Sequence, residues 1–211
     1  MKNALKFLKL NPNDFNTHLF RRNIWIIGSP IIAKAEKHTT QRPTGKKSWF
    51  RQEWFKCGMG WFTWIENISA LVPLVQAMVN CFGLLHALVI HCGGNDIGMG
   101  SIREVLKHLI YATFIVSKML PNSLLIYSQI LPRTKWRYNS NLKAMERARK
   151  RINRGIRTYY YKSNAKVITH ADLQDGHKAL YADDGVHLSF LGNDIFINAI
   201  QCGLEQFALP C

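Results

Sequence analysis

The chain has 211 residues, enough for one domain with a substantial core, and its 47% hydrophobic content with only seven prolines excludes a disordered polymer. Its 28 lysines and arginines against 13 acidic residues give a net charge of +15, which favours an anionic partner such as nucleic acid and says nothing about the fold. Five cysteines, Cys57, Cys81, Cys92, Cys202 and Cys211, are odd in number and widely spaced, which reads as free thiols in a reducing compartment and no zinc site.

Residues 1–22 are of mixed character and read as an N-terminal extension or linker, with one domain occupying 23–211. Lysines at 2, 6 and 9 break the first apolar run, so no signal-peptide core is present and an intracellular protein, cytoplasmic or nuclear, is expected. Ile24 to Ile27 is an apolar run that predicts a buried strand. Gly28 permits a tight turn, and Pro30 suits the first turn of a helix running to about His38. This lifts Ser29 to the carboxyl end of a parallel strand, where open α/β sheets bind ligands. The plainer reading of such a serine is a helix N-cap.

Thr39 to Lys47 is polar, with Pro43 and Gly45, and predicts a loop. Trp49 to Phe55 alternates like an outer strand and leads to Cys57 and Gly58. Asn67 to Gly94 carries no formal charge and is long enough for a membrane span. Pro73, Gln76, Asn80, Gly83 and His86 interrupt it, so it divides into an apolar helix (about Trp64 to Val79) and a buried strand, Leu85 to His91, and no transmembrane segment is expected. That strand ends in Gly93, Gly94, Asn95 and Asp96.

Ser101 and Glu104 form a capping box that opens a helix running to Pro121. Ser123 to Ser128 is a strand, followed by a loop in which Arg133 and Trp136 either line a substrate groove or pack the loop. A long helix from about Ser140 to Tyr160 places Met145, Ala148, Ile152, Ile156 and Tyr159 inward, and Lys143, Arg147, Lys150, Arg154 and Arg157 outward. Solvated helix faces carry such cations routinely. As a nucleic-acid face they would contact phosphate, blind to sequence and sensitive to salt. Ala165 to Thr169 is the last strand, and Ser189 opens a final helix to about Phe207.

Strands alternating with helices predict a doubly wound, mostly parallel five-stranded sheet in a three-layer α/β/α sandwich. The strand ends then share one edge. A serine needs a base to attack at neutral pH, and the base needs an orienting acceptor. Asp184, three residues before His187 with Gly185 between, can hold one ring nitrogen and leave the other for Ser29. The backbone N–H groups of Ser29 and Gly58 and the amide of Asn95 are candidate oxyanion donors. The tetrapeptide at 94–97 recurs at 192–195 within a helix, so only Asn95 receives such a role, and Asp96 reads as a loop-holding hydrogen bonder. His86, His91 and His108 read as structural or solvated, and His170 and His177 are too scattered for a metal site.

Gly28-Ser29, Gly58, Gly93 to Asp96 and Asp184 to His187 resemble the four blocks of the SGNH (GDSL-type) hydrolases, over roughly Ile24 to Phe207. The resemblance implies a flavodoxin-like sandwich and a cofactor-independent serine esterase or acyl hydrolase acting on a small ester. It implies Ser29 as nucleophile, His187 as base, Asp184 as its orienter, and Gly58 with Asn95 in the oxyanion hole. Gly28 departs from the family's usual aspartate, Pro30 follows the serine, and Gly60 could replace Gly58 as the donor. The wording around the blocks is similar to fish members of the family, many retrotransposon-associated. The alternative function is therefore a weakly active or inactive basic binding module of retroelement origin that contacts nucleic acid.

Overall fold

A computed structural model describes residues 24–41, 61–163, 165–174 and 177–207. The N-terminal extension, the outer strand expected at 49–55, Gly58 and Gly60 lie outside them. Five parallel strands form one sheet: β1 (Ile24–Gly28), β2 (Trp61–Trp64), β3 (Ala87–His91), β4 (Leu124–Ser128) and β5 (Lys166–Ile168), in the order β2-β1-β3-β4-β5. The order reverses between β1 and β3, and the crevice at such a switch point is where doubly wound sheets bind ligands.

Helices α1 (Pro30–Gln41) and α5 (Phe190–Phe207) cover one face of the sheet. On the other lie α2 (Leu71–Phe82), α3 (Ile102–Met119) and α4 (Leu142–Lys162). Alternate strand residues feed the two cores: Trp25, Ile27, Leu88 and Ile90 face α2 to α4, while Ile24, Ile26, Ala87 and Val89 face α1 and α5. Strands buried on both sides must be apolar throughout, which is why β1 and β3 show no polar alternation. The Ser101 and Glu104 box caps α3 in both directions, and Gly83, at φ 76°, ends α2.

The helix expected from Trp64 to Val79 is shorter at its start. Trp61 to Trp64 form the edge strand β2, a short 3₁₀ turn covers Ile68–Ala70, and α2 begins at Leu71. Aromatic and β-branched residues favour the pleated strand at 61–64, and Pro73 is tolerated because it falls in the first turn of α2. In α4, Tyr160 rather than Tyr159 is fully buried. Arg149 is also buried, among the apolar positions of the same helix. Its guanidinium donates to Glu146 Oε2 at 2.7 Å and to the Ile130 carbonyl at 2.8 Å. Asn153 both accepts from Ile130 N–H at 3.0 Å and donates to its carbonyl at 2.9 Å. The two side chains thereby pin the segment after β4 onto α4 and satisfy its backbone groups. No helix among the described residues is long and apolar enough to cross a membrane.

Candidate active site

At the carboxyl end of β1 the chain passes unusually close to β3. A Cβ on Gly28 would lie 2.3 Å from the His91 carbonyl oxygen and 2.9 Å from its Cβ, so only glycine fits. An aspartate at this position, which the family resemblance would favour, has no room. Ser29 N–H donates to the same carbonyl at 2.8 Å, extending the sheet by one bond. That corrects the expectation that this amide faces an oxyanion, because its hydrogen is already engaged.

The Ser29 side chain is buried, yet its hydroxyl caps nothing. Ile32 N–H donates to the Ser29 carbonyl at 2.8 Å, and Oγ has no hydrogen-bond partner. Serine at a helix start usually accepts from the second or third N–H of the helix with its side chain. Here that service is absent, which leaves a free hydroxyl at the switch point of the sheet.

The loop before α5 carries a preassembled carboxylate–imidazole pair. Asp184 Oδ1 accepts the N–H groups of Val186 at 2.9 Å and His187 at 2.8 Å, while Oδ2 pairs with His187 Nδ1 at 2.5 Å. Burial would push the Asp184 carboxyl up, but the bonds from the His187 backbone and ring and from Val186 hold it well below the usual carboxylate range. With Nδ1 occupied, Nε2 is the nitrogen left for chemistry. Gly185, at φ 68°, makes the turn that permits this wrap. Its carbonyl accepts the amides of Thr134 at 2.9 Å and Lys135 at 3.1 Å, and Lys34 Nζ of α1 lies 3.6 Å from Asp184 Oδ2. The pair therefore sits at the same sheet edge as Ser29, tied to the helix that Ser29 begins.

Asn95 is held on both sides: Nδ2 donates to the Glu66 carbonyl at 2.8 Å and Oδ1 accepts from Arg133 at 2.9 Å. One of its two amide hydrogens remains for a ligand. Asp96 accepts the Ile68 N–H at 3.1 Å, as a loop holder should. Burial raises its pKa above the ordinary value. An apolar cavity of about 700 Å³ opens beside Asp96 between α2 and α3, but neither Ser29 nor His187 lines it. Arg133 stacks over the Trp136 ring, 5.3 Å from its centroid. The five cations at 143, 147, 150, 154 and 157 are all exposed on α4, the helix that follows the loop carrying Arg133 and Trp136.

A second polar group lies beneath the edge. Ser128 Oγ bridges His91 Nδ1 at 2.9 Å and His170 Nε2 at 2.7 Å, and all three residues are buried. Ser128 has one hydrogen, so it donates to one ring and accepts from the other. His170 Nδ1 has no partner, and a bare lone pair is easier to bury than an orphan N–H. His170 then donates from Nε2, and Ser128 donates to His91. Burial, then the Arg133 charge, push the His91 pKa down to about 3 against the opposing effect of Ser128. Burial and then His91 push that of His170 well below its ordinary value. These rings share no signal in the sequence, because only the register of β3, β4 and the segment after β5 brings them together.

No protein-family model and no curated protein matches the chain. Solved structures do. The chain is similar to a GDSL-like lipase from Bacteroides thetaiotaomicron, with a TM-score of 0.72 and 15% identity over 97% of this chain and 98% of that one. A family 3 carbohydrate esterase from Clostridium thermocellum gives 0.60 and 13% over 87% and 95%. An esterase from Pseudoalteromonas, seen inhibited by monoethylphosphonate, gives 0.58 and 14% over 88% and 97%. At such identities the likeness establishes the fold: this is the α/β/α sandwich of the SGNH hydrolases.

Proposed function

We propose that the chain is a cofactor-independent serine ester hydrolase acting on short O-acyl esters, acetyl esters among them. The observation that carries this reading is a carboxylate-oriented imidazole, Asp184–His187, at the same sheet edge as a buried Ser29 hydroxyl that no other group employs. Ser29 Oγ attacks the acyl carbon while His187 Nε2 takes its proton. The bond between Ser29 and His187 forms in the substrate complex; such bonds are often absent or long in unliganded sites. The tetrahedral oxyanion is met by the remaining Asn95 N–H and, as the family resemblance implies, by the Gly58 amide. Collapse expels the alcohol, which leaves with the proton from His187 and gives an acyl-enzyme. Water, deprotonated by the same ring, then releases the acid and restores Ser29. Asp184 stays ionised throughout and stabilises the imidazolium. The wild type should turn over p-nitrophenyl acetate and take a fluorophosphonate label on Ser29, and Ser29→Ala should lose both. Equal weak turnover by the two proteins, or a label elsewhere, would refute the reading.

A second reading rests on α4, where eight of the 28 cations lie on 21 residues with one acid, Glu146. Glu146 already pairs with Arg149 and Lys150. Lys143, Arg147, Lys150, Arg154 and Arg157 present a basic strip suited to nucleic-acid phosphates. Five single-strand phosphate contacts would give a slope of log K against log salt of about −3.5, or about a 100-fold loss between 50 and 200 mM. Fluorescence anisotropy with a labelled oligouridylate should show that slope, and Arg147→Glu with Arg154→Glu should flatten it. A salt-independent affinity would argue against the strip.

A further inference from the structure

The loop between β4 and α4 contains hydrogen-bond donors that lack acceptors. Arg133 is partly buried, yet its guanidinium makes one hydrogen bond, from Nη2 to Asn95 Oδ1 at 2.9 Å, and no ion pair among the described residues. Four of its five N–H donors meet no protein acceptor among the described residues. Neither nearby carboxylate bonds to it: Asp184 is engaged with His187, Val186 and Lys34, and Asp96 accepts the Ile68 amide on Oδ1 while its Oδ2 is buried without a partner. The ring on which Arg133 stacks adds another donor, since Trp136 Nε1 is buried without a partner. The Tyr181 hydroxyl, near enough for its ionisation to be coupled to the Arg133 charge, is likewise buried and unpaired.

Arg133 is a partly buried cation with no salt-bridged partner among the described residues; Asp96 and Asp184 act on its charge only at a distance, and burial is the main cause of the fall of its pKa to about 10. Packing alone would be served better by an apolar side chain. The position also matters. Arg133 holds the amide proposed to meet the oxyanion, and its backbone neighbours Thr134 and Lys135 hold the loop that carries His187. Whatever fills the vacant donors therefore lies within the reach of a substrate bound at Ser29.

We propose that Arg133, with the Trp136 indole N–H, binds an anionic oxygen-bearing group, a carboxylate or a phosphate monoester, on the substrate, so that the preferred esters carry a negative charge in the acyl or alcohol part. The fork of a guanidinium beside an indole N–H offers donors to two or three oxygens of one such group. The substrate half of this inference rests on the hydrolase reading; the anion site itself does not.

The test separates the two. For turnover, monoethyl adipate and monoethyl succinate are compared with their neutral diethyl esters. The wild type should favour the half-esters in kcat/KM by about 10- to 100-fold, the range of a charge-assisted hydrogen bond. Arg133→Gln should bring that ratio near unity, Arg133→Lys should restore part of it, and Trp136→Phe should reduce it several-fold. A ratio unchanged in Arg133→Gln overturns the proposal, whatever happens to either rate alone. For binding, adipate and methyl phosphate are titrated calorimetrically into Ser29→Ala, which needs no turnover and tells the two anions apart. Binding of either that is lost in Ser29→Ala with Arg133→Gln supports the site even if no ester is hydrolysed. Binding of neither, or binding indifferent to Arg133, overturns it.

Discussion

Asp184→Asn should lower kcat by about 10⁴-fold while leaving thermal stability nearly unchanged. The asymmetry follows from how the two carboxylate oxygens are used. Oδ1 accepts the backbone N–H groups of Val186 and His187, and an asparagine carbonyl can do the same. Oδ2 faces His187 Nδ1. An asparagine –NH₂ there can only donate, so Nδ1 must become the acceptor and the ring proton moves to Nε2. The imidazole keeps its place but presents a hydrogen where a lone pair is needed. The side chain of Asp184 is about half exposed, at 45%, so the lost charge matters little to folding. The measurement is kcat for p-nitrophenyl acetate beside a thermal melt. A variant retaining a tenth or more of wild-type activity would remove Asp184 from the mechanism.

The larger effect on stability should come from acid and from a different place. His91 and His170 are held neutral in the native core, with pKa values pushed below the ordinary histidine value. In the unfolded chain both titrate near 6.5, so below that pH the unfolded state binds up to two more protons than the native state. Stability is therefore complete above about pH 6.5 and declines as pH falls toward the native value of about 3 for His91. The His91 proton alone corresponds to a slope of roughly 1.4 kcal/mol per pH unit between those two values, and His170 adds to it in the same direction. Urea denaturation at pH 7.5, 6 and 5 reads it directly. His170→Gln places an amide where Nε2 meets Ser128 and should make the slope shallower. Equal stability of the wild type at pH 7.5 and pH 5 would show that the rings are not kept neutral.

The residues that carried the fold reading were those whose roles are local. The apolar runs of β1, β3 and β4, the box at Ser101 and Glu104, and the heptad-like spacing of α4 each follow from neighbours within a few positions. The pairing of Asp184 with His187 was legible for the same reason, since both partners lie in one turn. Features that depend on register were not. Ser29 N–H was given to an oxyanion because nothing in the sequence says that the His91 carbonyl lies across from it. Arg149 has no assigned role in the sequence reading, because its burial depends on where the segment at Ile130 crosses α4. The ring pair at 91 and 170 needed Ser128 between them, and the three come from separate strands and loops.

The Gly185 carbonyl gathers Thr134 and Lys135, so the segment that presents Arg133 and Trp136 is laced to the segment that presents His187. A library built to alter selectivity by randomising 133–136 is thus also a library of imidazole placements. Variants that gain a new preference would be lost to misaligned bases before that preference could be scored. Selection that leaves Thr134 and Lys135 fixed and varies only the outward neighbours would keep the two properties apart.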